Sequence, residues 1–114
     1  MNDKLPVLDR SVLSTSLGDD KELISEILEL FANTTPEIIA ALDKAADEGN
    51  LDAVRKSAHS IKGSAGNIGA VALMQAMREI EDACADEEVS DDVRAKVATA
   101  ITEYNLLRLE LETN

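Results

Sequence analysis

Two aromatic residues, Phe31 and Tyr104, are all that this 114-residue sequence carries, and tryptophan is absent. One cysteine leaves no intramolecular disulfide to form. One histidine, His59, rules out a multi-histidine metal site, and no metal ligand set is expected. No apolar run approaches the ~20 residues of a membrane span. The first ten residues have neither an apolar signal core nor an Arg-rich transit character. Positive charge is scarce too: 11 Lys and Arg against 23 Asp and Glu give a net charge of −12. That balance argues against a general nucleic-acid or anionic-membrane surface. The expectation is a soluble, cytoplasmic protein that binds neither nucleic acid nor membrane.

What is present favours helices. Alanine and leucine are the best apolar helix formers, and 16 Ala and 14 Leu dominate the apolar positions. The 15 Val and Ile never alternate with polar residues over a strand's length, so an all-β or α/β fold is not expected. Asp9 is placed to cap a short first helix that ends near Leu17-Gly18. Asp19 with Glu22 forms a capping-box-like start for a long second helix reaching Glu48. Pro36 either interrupts that run or sits inside one kinked helix; the sequence leaves both open. Gly49 then reads as a stop and Asn50 as the next N-cap.

From Leu51 the apolar positions Val54, Ala58, Ile61, Ala65 and Ile68 alternate three and four apart, which is one narrow stripe. Gly66, Asn67 and Gly69 are expected to turn the chain. Leu73, Met77, Ile80 and Cys84 repeat the stripe, and Met74, Met77 and Cys84 read as packing residues. The acidic stretch 86–88 reads as loop and Ser90 as the cap of a last helix carrying Val93, Val97, Ala100, Tyr104, Leu107 and Leu111. The fold class expected is all-α, an antiparallel four-helix bundle with a short additional N-terminal helix. One domain fills 1–114, with a core of about 8–111 and a tail at 1–7. Single stripes that one bundle can bury predict a monomer. The wide apolar face of the second helix is the exception, which a central position or the short lid helix would explain.

At about 100° per residue, His59 lies roughly 130° from the centre of its helix's buried stripe, so it should face water. Arg55, Lys56, Lys62, Gly63 and Gly66 share that face. A mid-helix glycine costs up to ~1 kcal/mol relative to alanine, which is best tolerated where a partner must approach the backbone closely. Residues 51–78 hold Arg55, Lys56, Lys62 and Arg78 against Asp52 alone, a net of +3 that leaves −15 for the rest. A positive island around one exposed histidine suits a phosphoryl group or an anionic partner. The glycines do not form a nucleotide-binding loop, since no strand precedes them and GxxxxGK[ST] is missing.

The run Ala58-His59-Ser60-Ile61-Lys62-Gly63-Ser64-Ala65-Gly66-Asn67-Ile68-Gly69-Ala70 resembles the signature of histidine-containing phosphotransfer (HPt) domains. Leu17-Gly18-Asp19-Asp20, the Leu-rich helix with Phe31 and Pro36, and Leu73 through Glu81 are similar as well, so the resemblance spans residues 8–110. It implies a free-standing phosphorelay intermediate rather than an ATP-using enzyme. His59 would accept a phosphoryl group from a hybrid sensor histidine kinase or its receiver-domain aspartate and pass it to a response-regulator receiver. Lys62 matches the lysine that holds phosphoryl oxygens, and Gly63 the glycine that clears space for the receiver. In several members a Glu or Gln 22 positions after the histidine bonds to its ring; here that is Glu81, with Arg78 one turn earlier adding positive charge. No cofactor is implied, and magnesium is expected on the partner receiver domain. The apolar rim for docking would come from exposed Ala or Ile residues such as Ile68.

The chemistry can be reached from the residues alone. An imidazole attacks phosphorus through an unprotonated nitrogen, and an ordinary imidazole, with a pKa of ~6.5, is mostly neutral at pH 7. A carboxylate accepting from Nδ1–H would fix the tautomer and leave Nε2 as nucleophile. The alternative reading is a helical adaptor that binds an acidic protein through the same basic face without covalent chemistry. A small hydrolase with His59 as general base lacks a second catalytic group and an oxyanion donor.

Overall fold

The computed structural model describes residues 5–86 and 91–112. Among them are five α-helices and no strand: α1 (Ser11–Leu17), α2 (Lys21–Glu48), α3 (Leu51–Ile68), α4 (Val71–Ala83) and α5 (Asp91–Glu112). A 3-10 turn, Cys84–Asp86, extends α4. The rest of the expected acidic loop and the Ser90 cap lie outside the described residues.

Helix ends follow the chain's capping chemistry, with small shifts. The Asp9 carboxylate accepts from the Ser11 N–H at 3.1 Å and opens α1. Gly18, at φ 68°, closes it. The cap of α2 is Asp20, accepting from the Leu23 N–H at 3.1 Å, and not the expected Asp19, which is spent in the turn after Gly18. α2 runs unbroken through Pro36. Proline removes one backbone hydrogen bond there, and burial of Phe31, Thr35, Ile39 and Leu42 on one stripe across it offsets the loss. Asn50 caps α3 by accepting from the Ala53 N–H at 3.1 Å. α3 passes straight through Gly66 and Asn67, so Gly69 alone makes the turn, at φ 87°.

The short links fold α2 to α5 into an antiparallel ring in which α3 packs on α2 and α4, and α5 closes against α4 and α2. α1 lies on α2 and α3. The core is the expected set of stripes: Leu42, Val54, Ile61, Leu73, Met77, Ile80 and Leu107 are sealed from solvent. Each such side chain contributes about 1.5–3 kcal/mol. Cys84 is buried as a core residue, and burial pushes its thiol pKa up. The wide face of α2 does not reflect a central position. Leu23 and Leu30 are exposed, and before Phe31 the helix contains no buried side chain.

α4 begins without a side-chain cap. One of its orphan donors is met from a distance, the Ala72 N–H donating to the Pro6 carbonyl at 3.0 Å, and the same segment returns a bond to the turn, the Asp9 N–H donating to the Gly69 carbonyl at 2.7 Å. Part of the expected tail is therefore a strap across the α3–α4 turn. A Cβ on Gly69 would overlap the Asp9 carbonyl oxygen and crowd Val12 Cβ at 3.0 Å. Gly49 has a similar positive φ of 71° but open space around it. Gly49→Ala should cost about 1–2 kcal/mol, the left-handed penalty alone. Gly69→Ala should cost about 2–4 kcal/mol, since the strap must also move. Urea unfolding of the two variants checks the ordering.

Candidate functional site

His59 sits on the outward face of α3, one turn before Lys62 and Gly63, and 71% of its side chain is exposed. Its helix is held by Ala58 and Ile61 on the opposite face, both sealed in the core. Glu81 comes from α4 and is shielded, with 18% of its side chain exposed. The two helices bring its carboxylate between two α3 side chains. Oε2 lies 3.0 Å from His59 Nδ1, and Oε1 lies 2.6 Å from Lys62 Nζ. Oε1 is buried, with the Lys62 ammonium as its ion-pair partner.

Burial pushes the Glu81 carboxyl up, but the hydrogen bonds of Lys62 and His59 outweigh it and hold the group below the ordinary glutamate value. Glu81 is therefore ionised at neutral pH and can only accept. His59 must then carry its proton on Nδ1, which leaves the Nε2 lone pair facing outward.

The other expected site residues divide. Gly63 is exposed, and nothing in the chain lies within 4 Å of a Cβ placed there. No internal packing explains the glycine. Gly66 differs: a Cβ would meet Met74 Sδ at 3.1 Å, so the α3–α4 contact already gives the glycine an internal reason. Arg55 and Lys56 both turn back to Asp52, at 2.6 and 3.1 Å. Lys56 first, then Arg55, holds the Asp52 carboxyl below its usual value. Arg78 is exposed on α4 and has no polar partner among the described residues. Three of the four cations thus lie in ion pairs, two of them sharing Asp52, and counting Glu81 lowers the local sum from +3 to +2. Ile68 is buried and cannot form an exposed rim.

Sequence reasoning missed the Lys62–Glu81 pair, because it weighed Glu81 against the ring alone. It also missed a shallow apolar groove of about 380 Å³ between α1, α2 and α3. Leu17, Ile27 and Leu30 line it, with Ser64, Asn67 and Ile68 contributed by α3. The signal was the unexplained apolar width of α2.

Residues 26–113 match the family described as Hpt domain. The chain belongs to the Hpt domain family. Membership brings a histidine phosphotransfer role in a phosphorelay, as an intermediate and not a kinase. Histidine-containing phosphotransfer protein B (HptB) from Pseudomonas aeruginosa is a similar solved structure, with a TM-score of 0.85 and 26% identity over 96% of this chain and 95% of that one. The HPT domain of the Hpt sensor hybrid histidine kinase from Shewanella aligns at a TM-score of 0.82 over 94% and 92% of the two chains; its 16% identity speaks for the fold alone. No curated protein is a significant sequence match. Among the described residues of this Hpt domain, no helix is long and apolar enough to cross a membrane.

The depressed carboxyl of Glu81 makes a stability prediction. A group whose folded pKa lies below its unfolded value of about 4.5 stabilises the fold above that value and loses the contribution as pH falls through the folded pKa. From about pH 5 downward, the stability difference between the wild type and Glu81→Gln should therefore shrink. Urea titrations of both proteins at several acidic pH values check the sign.

Proposed function

We propose that His59 is the phosphoacceptor of this chain, taking a phosphoryl group from a receiver-domain aspartate of a hybrid sensor histidine kinase and passing it to a response-regulator receiver. One observation carries the reading: the chain's single histidine presents an open Nε2 while an ionised, shielded carboxylate holds Nδ1. The Nε2 lone pair attacks phosphorus, and the bond from phosphorus to the aspartyl oxygen breaks and returns a carboxylate to the receiver. Nδ1 keeps its proton, so the ring becomes cationic, and Glu81 lies against that charge. Handing the group on reverses these steps with a second receiver.

Lys62 stabilises the phosphoryl oxygens in this scheme. It spends one of its three donors on Glu81, and the others are available. Gly63 leaves the backbone open to a partner beside the ring, and the α1–α2–α3 groove is the apolar seat for the receiver. No cofactor is needed on the chain itself. Magnesium belongs with the receiver's carboxylates in this scheme. The chain acts as a cytoplasmic monomer in this reading.

A small phosphoramidate donor, and separately a phosphorylated receiver, should each give one acid-labile, base-stable phosphoryl adduct by intact mass. The adduct should vanish in His59→Gln. No adduct from a folded wild type, with partner binding unchanged in His59→Gln, would favour the non-covalent adaptor instead. The adaptor would have to work with a face on which Asp52 and Glu81 already engage three of the four cations.

Gly63→Ala separates folding from function. Alanine should stabilise α3 by about 0.5–1 kcal/mol, because nothing in the chain opposes its methyl group. Transfer from a receiver should slow, while labelling by the small phosphoramidate stays unchanged. Equal labelling and transfer rates in the variant and wild type would remove Gly63 from the docking face.

A further inference from the structure

Among the described residues, the large apolar side chains that solvent reaches fall into two groups. Leu23 and Leu30 belong to the first half of α2, and Leu30 lines the groove assigned to the receiver. Leu106 and Leu109 on α5, with Leu5 just before the strap, form the second group, at 43%, 60% and 40% exposure. The core does not need them, since α5 already buries Val93, Val97, Ala100, Tyr104 and Leu107. Leu5 and Leu106 line a second groove of about 620 Å³ between α4 and α5. Small side chains complete its apolar lining, Ala72 and Ala76 from α4 and Ala95 from α5. Large residues beside small ones give a surface that admits apolar knobs from outside.

Charge distinguishes the two grooves. The described residues lining the α1–α2–α3 groove carry none. The α4–α5 groove is lined by Glu79, Asp92 and Glu103 against Lys96 alone, three carboxylates to one ammonium and a net of −2. Lys96 is already engaged, 3.9 Å from Glu79 and 3.8 Å from Asp92. A second copy of this chain would bring the same acidic lining and another net charge of −12, so like charges would meet. Glu79 and Glu81 are two residues apart on α4, hence about 200° apart around it, which puts this groove and His59 on opposite flanks of the helix.

We propose that the α4–α5 groove is a second docking surface, and that its occupant is a basic amphipathic helix of a partner protein. The apolar face of that helix seats against Ala72, Ala76, Ala95 and Leu106, and its lysines or arginines face Glu79, Asp92 and Glu103. His59 stays open to a receiver while the helix is bound. The surface does not depend on the reading of His59 as phosphoacceptor.

The probe is a synthetic peptide of about 14 residues of leucine and lysine, with leucine at alternating third and fourth positions. Its helical length of ~21 Å matches α5 from Asp92 to Leu106. Anisotropy titration should give saturable one-to-one binding that weakens as salt rises. Amide NMR shifts should move along 72–79 and 95–106 and leave His59 and Gly63 in place. Leu106→Glu should weaken binding about tenfold, the loss of one apolar anchor. Glu103→Lys should weaken it too and flatten the salt dependence. Both side chains lie outside the core, so the amide spectrum of each variant should stay native. A peptide of the same composition with its leucines scattered around the helix should bind about tenfold more weakly or worse. Equal affinity for the scattered peptide, shifts centred on another face, or no loss in Leu106→Glu would each overturn the proposal. So would a wild-type dimer that Leu106→Glu disperses, because the occupant would then be a second copy.

Discussion

The register between α3 and α4 is the constraint on which the site depends, because the ring and the lysine come from one helix and the carboxylate from the other. A slip of one residue would move a side chain about 1.5 Å along the axis and rotate it by about 100°, enough to break both contacts to Glu81. Three features hold the register. Gly69 makes a tight turn that leaves no slack, Gly66 admits Met74 between the helices, and the Pro6–Asp9 strap ties the turn from outside. Residues some fifty positions from the histidine thus belong to the frame of the site.

Charge behaves differently when it is placed than when it is counted. The four cations of residues 51–78 read as a positive island, yet three of them lie within ion-pair distance of a carboxylate. Arg55 and Lys56 share one exposed aspartate, an arrangement that water and salt screen effectively. The Lys62–Glu81 pair is shielded and keeps more of its strength. Selectivity in this surface therefore comes less from bulk attraction of anions than from where one ammonium is held. Arg78 is the cation left for long-range steering among those four.

Most of the fold was legible because the apolar positions obey one period. The alternating three and four spacing of Val54 to Ile68 and of Leu73 to Cys84 became the core without exception. The caps at Gly49 and Asn50 were legible for the same reason, since each acts within four residues. What depended on a neighbouring helix was not. Gly63 and Gly66 look alike in sequence and share a face, yet Met74 stands over one and nothing over the other. Ile68 falls on the buried stripe, and its proximity to the histidine in sequence gave it a rim position that the helix rotation denies. Arg55 and Lys56 were read as part of a positive island because the count did not ask which side chains reach Asp52. The contact between Glu81 and the ring was anticipated only through the family resemblance, since helical periodicity is silent about facing partners.

An exposed ring beside a shielded carboxylate is a division of labour between two helices. Had Glu81 been open to solvent, water would compete for its oxygens and the orientation of the ring would weaken. Had His59 been buried with it, no protein-sized donor could reach Nε2. Placing the ring on the outward face of α3 and the carboxylate on the flank of α4 meets both demands, and it does so without a cleft. The absence of a cleft has a chemical consequence. Nothing on the described surface surrounds a phosphoryl group on all sides, so the partner must supply the remaining contacts to the transferring group. In the proposed role such a site is a nucleophile completed by its partner, which suits the relay of a phosphoryl group between proteins rather than turnover of a substrate alone.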